Sequence, residues 1–208
     1  MPFVSFEGID GSGKTSQLHR LAEWLEGRGC RVVRTKEPDG GRLGRDVRAM
    51  LTKERDFSLD AVEELLLVAV SRYDHVRSVI RPALDAGDWV LSDRFVDSTF
   101  ALQVIAAGAQ QDLFNAVNAV VADETRPDMT FILDLPPDKA LARRADRSGR
   151  VPGDPAESTR NVERIRSGFR QIACAEPKRC KLIDARKDEA AVAAAIRAEL
   201  LQAGLLSA

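Results

Sequence analysis

Apolar and polar positions along the chain alternate between a strand-like and a helix-like spacing. Phe3 to Glu7 is a short apolar, β-compatible run that leads straight into a glycine-rich turn. From Lys14 to Arg28 the residues Leu18, Leu21, Ala22 and Leu25 recur at helical spacing, and Gly29 stops the helix. Arg31 to Lys36, with Val32 and Val33 at its centre, reads as a second strand, so the chain opens β-α-β. Arg42 to Leu51 predicts a short helix. Val62, Leu65, Leu66, Ala69, Tyr73, Val76 and Ile80 mark one face of a long helix, disturbed by Pro82 and ended by Gly87. Trp89 to Ser92 is a third strand, and a helical stretch from about Ser98 breaks near Gly108. Met129 to Leu135 is a fourth strand, followed by a helix from Pro137 to Arg147 that proline begins. Glycines and prolines between Ser148 and Pro155 predict a mobile loop, after which helix resumes from about Ala156 to Ala175. Lys181 to Asp184 predicts a fifth strand, and Ala191, Val192, Ala195, Ile196 and Leu200 a final amphipathic helix.

Strands alternating with helices define an α/β fold with a parallel sheet covered on both faces. Ligands of such folds bind at the carboxyl ends of the strands. The motifs below fall there.

Composition narrows the function classes. The 208 residues fit one domain, and 44% hydrophobic with 30% charged residues is a folded rather than a disordered profile. A formal net charge of -1 gives no global field toward nucleic acid or membrane. Any bound anion must therefore be held by locally placed cations. Cys30, Cys174 and Cys180 have no metal-ligand spacing, which suggests a reducing compartment. The longest apolar run, Leu65 to Val70, is far short of the roughly 20 residues that span a bilayer. No basic region precedes an apolar stretch at the start, so a cytoplasmic protein is expected.

Gly8-Ile9-Asp10-Gly11-Ser12-Gly13-Lys14-Thr15 matches G-x-x-x-x-G-K-[ST], a phosphate-binding loop. Its glycines let backbone N–H groups converge on one centre, at the positive end of the following helix. Gly8, Asp10, Gly11, Ser12, Gly13, Lys14, Thr15 and Ser16 are the expected contacts to ATP phosphates, with Lys14 reaching the β- and γ-phosphates. Thr15 is expected to hold Mg²⁺ together with Asp93, which ends the apolar strand Trp89-Val90-Leu91-Ser92.

The acceptor follows from what is present and what is missing. No N-K-x-D motif for reading guanine occurs in the chain. A phosphate acceptor needs no base, because a monophosphate with second pKa near 6 is already a dianion. It needs arginines against the repulsion of two polyanions, and a lid. Arg48, Arg72 and Arg94 follow strands two and three, and Arg143, Arg144, Arg147 and Arg150 gather around the expected lid.

Several segments in order resemble bacterial thymidylate kinases across nearly the whole chain. FEGIDGSGKTSQ is similar to that family's phosphate loop, TKEPDGGRLGRDVR to its T-R-E-P-G-G segment, and ELLLVAVSRYDHV to its E-L-L-L-F-x-A-x-R helix. SDRFVDSTFALQ resembles D-R-Y-x-x-S-T-x-A-Y-Q, and LIDA the I-D-A near the end. The resemblance implies a three-layer P-loop kinase fold with strand order 2-3-1-4-5 and a lid at about 143–158. It also implies a homodimer through helices such as the one containing Leu65 to Leu67.

By the same resemblance, Asp10 would meet the acceptor sugar's 3′-hydroxyl, Arg94 and Arg48 would hold the acceptor phosphate, and Lys36 would belong to the acceptor-binding set. Arg72 would read the thymine edge, with Thr99 and Gln103 nearby. Arg147 or Arg150 would be the catalytic lid arginine, and Arg143, Asp184 and Ala185 would flank the adenine. The departures are specific. Val68 stands where the family has a phenylalanine that stacks on thymine, and Leu102 where an aromatic helps exclude ribonucleotides. Lys36 replaces an arginine, Asp39 the first glycine of the G-G pair, and the lid lacks an intact D-R-x-E. The expected activity is phosphoryl transfer from ATP to dTMP. Kinases of another pyrimidine monophosphate, an idle nucleotide-binding paralogue and a P-loop ATPase are the alternatives.

Overall fold

The computed structural model describes residues 2–122, 124–146 and 161–206. Arg147, Arg150, the loop expected at 148–155 and the expected start of the next helix lie outside the described residues.

Five strands form one parallel sheet: β1 (Phe3–Glu7), β2 (Val32–Lys36), β3 (Trp89–Asp93), β4 (Met129–Asp134) and β5 (Cys180–Asp184). Their order is β2-β3-β1-β4-β5, as expected. β1 is central, with Phe6 in register with Asp93 of β3 on one side and Phe131 of β4 on the other. That register carries the phosphate loop and Asp93 to the same end of the sheet.

Successive strand residues face opposite layers. Phe3 and Val90 gather with Val76, Ile80 and Phe95, whereas Val4, Phe6 and Leu91 gather with Leu18, Leu21 and Leu25. The latter three belong to α1 (Lys14–Glu26), whose buried stripe is the one read from its spacing. α2 (Gly44–Thr52) and α3 (Ala61–His75) follow β2. Asp60 caps α3, accepting from the Val62 and Glu63 backbones while Glu63 reaches back to Asp60, a complete capping box.

The disturbance expected at Pro82 is a π-helical turn, Val76–Ile80, between α3 and α4 (Arg81–Asp85). Pro82 has no N–H to give to the preceding turn, so the helix widens before it. The single apolar face expected over this stretch divides. Leu65, Ala69, Val76 and Ile80 are buried, but Val62, Leu66 and Tyr73 are exposed, as is Val70.

The helix after β3 comprises α5 (Val96–Thr99) and a second π-helical segment, Phe100–Ala106. It ends at Gly108, whose φ of 88° ordinary residues avoid, and α6 (Gln111–Val121) follows. α7 (Pro137–Asp146), α8 (Val162–Ala175) and α9 (Glu189–Gln202) complete the chain. Among the described residues, no helix is long and apolar enough to cross a membrane.

Candidate active site

The phosphate loop is shaped by glycine where side chains would collide. A Cβ on Gly8, at φ 133°, would lie 2.7 Å from the Leu133 carbonyl oxygen. One on Gly11, at φ 88°, would lie 2.6 Å from the Ala140 carbonyl oxygen of α7. Position 11 therefore has no room for a side chain, basic or otherwise, which accounts for the absence of a basic residue there. Lys14 is buried, and its Nζ donates to the carbonyls of Gly8 and Ile9 at 2.9 and 3.1 Å.

At the loop's far end, Thr15 Oγ1 donates to Asp93 Oδ2 at 2.5 Å. The two residues expected to serve a metal thus meet beside the loop, each with a hard oxygen. Such a donor pair suits Mg²⁺, which takes one or two protein oxygens and completes its shell with phosphate and water.

Arg94 connects the loop to what lies beyond. Its φ of 74° is a left-handed conformation rare for a side-chain-bearing residue. The strain is held by several bonds around the turn: Arg94 N donates to Phe6 O at 2.9 Å and Ser92 Oγ to Arg94 O at 2.7 Å. The guanidinium donates to Asp10 Oδ1 at 2.8 Å and to Ser98 Oγ at 3.0 Å.

Glu7, which sequence reasoning missed, sits beneath this turn. It is fully buried; its carboxyl accepts from Phe95 N at 2.7 Å and from Ser98 Oγ at 2.5 Å. Burial, reinforced by nearby Asp97, pushes Glu7 up to about 8 against the bonds it receives. The only sequence signal was an acid in an otherwise apolar strand.

Arg94 also lines a cavity of about 350 Å³. Five more predicted acceptor residues line it: Arg48, Val68, Arg72, Thr99 and Gln103. Leu102 is there too. Arg72 is buried and donates to Glu37 Oε2 at 2.6 and 2.9 Å, to Thr99 Oγ1 at 2.9 Å and to Phe95 O at 3.1 Å. Burial opposes ionisation of Glu37, but Arg72 and His75 outweigh it and hold the carboxyl below its ordinary value. His75 Nε2 in turn meets Thr35 Oγ1 at 2.7 Å. Glu37 and His75 are further residues the sequence did not single out; the chain of contacts fixes Arg72 as a rigid donor.

Two predicted acceptor residues lie outside that lining. Asp10 is engaged by Arg94 and stands 3.7 Å from Lys14 Nζ. Lys36 ends the edge strand β2, is largely exposed and pairs with Asp39 at 2.7 Å. Asp39 also approaches Arg48 at 3.5 Å, so the residue replacing a glycine neutralises part of the cationic set.

A second cavity of similar size, about 350 Å³, adjoins the loop on its other side and is lined by Ser12, Gly13, Ser16, Arg143 and Ala185 among others. Arg143 donates to the Ala185 carbonyl at 2.9 Å, bringing two predicted adenine-side residues together. Asp184 is not in that lining. Its carboxylate is bound by Arg186, which holds it down to about 2.

A phosphate loop beside an oxygen pair, one cavity lined by arginines and a second lined by Arg143 mark a P-loop phosphotransferase. Comparison with known proteins makes the assignment particular. The family model for thymidylate kinase matches residues 6–196. A thymidylate kinase of Solidesulfovibrio magneticus is 42% identical over 200 residues, 93% of this chain and 96% of that one. One from Afipia carboxidovorans is 41% identical over 208 residues, covering 99% and 91%. The crystal structure of thymidylate kinase from Ehrlichia chaffeensis superimposes with a TM-score of 0.74 at 35% identity, covering 96% and 98%. The chain belongs to the thymidylate kinase family.

Proposed function

We propose that this chain transfers the γ-phosphoryl group of ATP to the 5′-phosphate of dTMP, giving dTDP for DNA precursor synthesis in the cytoplasm. The observation that carries the reading is Arg94. One guanidinium contacts the phosphate loop through Asp10 and also lines the acceptor cavity. A cation so held can align an acceptor phosphate against the donor and screen their repulsion.

The donor's phosphates lie in the loop from Gly8 to Ser16, with the adenine in the second cavity near Arg143 and Ala185. Lys14 exchanges its loop carbonyls for the β- and γ-phosphates. Thr15 and Asp93 hold Mg²⁺, which neutralises phosphate charge when bound. No side-chain base is required, because the acceptor dianion is itself the nucleophile. Arg48 supports the acceptor phosphate, and Arg72 donates to the base from its fixed position. Asp10 receives the sugar hydroxyl, and Arg147 or Arg150 completes the charge around the transferring group.

The homodimer belongs to the same reading. Val62, Leu66, Val70 and Tyr73 form an exposed stripe along α3, an unusual concentration of apolar surface on one helix. A second copy is the occupant we assign to it.

The test is ADP release from ATP and Mg²⁺ against dTMP, dUMP, UMP, CMP, dCMP, AMP and GMP, with a no-acceptor control and Lys14→Ala. Clear preference for dTMP supports the reading. Preference for another pyrimidine, which Val68 and Leu102 would permit by widening the cavity, replaces dTMP within the same mechanism. Acceptor-independent release would instead indicate an ATPase, and absence of Lys14-dependent release an idle paralogue.

A further inference from the structure

The acceptor cavity takes a planar heterocycle, yet most of its apolar wall is aliphatic. Leu51, Leu59, Val68 and Leu102 line it. Aliphatic groups cover a base but offer no π-face for offset stacking. Two phenylalanines also reach the lining, and they differ in what is still open to a ligand.

Phe95 is fully buried. Its ring meets Phe3 edge-on, centroids 5.0 Å apart, and the Arg72 guanidinium lies 5.2 Å from its centroid. Those neighbours already occupy it. Phe57 is 60% exposed, in the connection between α2 and α3. That connection is anchored at both ends, by Lys53 N donating to Ala49 O at 3.0 Å and by the capping box at Asp60. Arg55 donates to the carbonyls of Met50 and Lys53, and its guanidinium stands 5.8 Å from the Phe57 ring centroid. A large apolar ring is thus carried at the cavity with most of its surface in water. A flat ligand that covers it gains what the folded chain alone leaves unburied.

We infer that Phe57 supplies the aromatic face for the acceptor base, making it a specificity-determining residue contributed by the α2–α3 connection. The inference rests on the nucleotide kinase reading and identifies the acceptor as a nucleotide whose base reaches that connection. Because Phe57 is mostly exposed, its removal leaves the core intact and acts on acceptor binding.

Steady-state kinetics with Phe57→Ala and Phe57→Tyr, and with Val68→Phe added to Phe57→Ala, test this beside thermal melting of each variant. Phe57→Ala should raise KM for dTMP about five- to tenfold, the range of one aromatic stack, with kcat and the KM for ATP changed by less than about twofold. Phe57→Tyr should remain near the parent, and Val68→Phe should recover most of the lost affinity by restoring a ring to the same cavity. An unchanged KM for dTMP in Phe57→Ala overturns the inference. So does a variant that loses kcat, ATP affinity and melting temperature together, since the loop would then act by holding the fold. A parent protein that ignores dTMP sinks the kinase reading instead, before any variant is compared.

Discussion

Glu64 Oε2 accepts a hydrogen bond from Gln103 Nε2 at 3.0 Å. A carboxylate has only acceptors, so this contact fixes which end of the Gln103 amide faces α3. The amide oxygen is thereby turned away from Glu64, and both side chains line the acceptor cavity. An amide oxygen presented to a pyrimidine accepts from the N3–H of thymine or uracil and opposes the N3 lone pair of cytosine. Glu64 is accordingly expected to act as a positioning residue for base choice. Glu64→Leu lets the amide turn over, and the kcat/KM preference for dTMP over dCMP should fall about tenfold, equivalent to ~1.4 kcal/mol for one hydrogen bond. An unchanged ratio, measured with both acceptors, would detach Gln103 from reading N3.

Glu7 gives the fold a pH dependence of definite sign. Its folded value of about 8 lies above the ordinary 4.5, so the native state holds a proton that the unfolded chain has released. Its contribution is fully present below about pH 4.5 and is lost as pH rises through about 8. Glu7→Gln keeps a neutral side chain of similar shape. Denaturant unfolding between pH 5 and 9 should show a decline in stability in the parent that is flatter in the variant. Equal slopes in the two proteins would place the titration elsewhere.

Much of this was legible from residue spacing, and the rest fails for physical reasons. β1 and the glycine loop follow from a local pattern, because an apolar run and a G-x-x-x-x-G-K-[ST] turn each carry their signal in consecutive residues. The α3 face departs from its expected single stripe because spacing identifies apolar residues on a helix without revealing what covers them. Leu65 meets the core, while Leu66, one position later, points outward. Glu7, Glu37 and Glu64 were invisible for a different reason. Each acts through a partner between 35 and 91 residues away, on Arg72, Ser98 or Gln103, and no local spacing encodes such a pair.

Gly11 is intolerant of even one carbon. The added Cβ meets backbone at 2.6 Å, and a left-handed φ compounds the strain. Gly11→Ala should displace the loop against α7 and destabilise the protein by about 1–3 kcal/mol, with a raised KM for ATP. Melting temperature and ATP kinetics check both effects. By the same clash, Gly11→Arg should fail to supply a catalytic loop cation, and its kcat should fall.

Thr15 and Asp93 should separate metal dependence from nucleotide binding. Asp93→Asn keeps an oxygen acceptor and the Thr15 contact but removes a charge. The Mg²⁺ concentration for half-maximal rate should rise about tenfold or more, on the scale of disturbing a metal site's supporting ligands. Chelation of Mg²⁺ should abolish turnover in parent and variant alike. If Asp93→Asn lowers kcat at saturating Mg²⁺ with no change in the half-maximal concentration, Asp93 serves the loop's shape rather than the ion.

The exposed face of α3 bears on assembly. Leu66 is 46% and Val70 52% exposed, and with Val62 they repeat every four residues, which aligns them along one helix face. Buried Leu65 and Ala69 lie beside that stripe on the same helix, so α3 packs inward through one side and leaves the other exposed. A charge placed in the stripe would be stranded on closing a two-fold interface, where each substitution occurs twice. Leu66→Asp with Val70→Asp should therefore convert a dimer to a monomer in sedimentation velocity, while leaving the core and the monomer's helical circular dichroism unaltered. A parent that sediments as a monomer at micromolar concentration would remove the dimer from the proposal and leave the stripe without that partner.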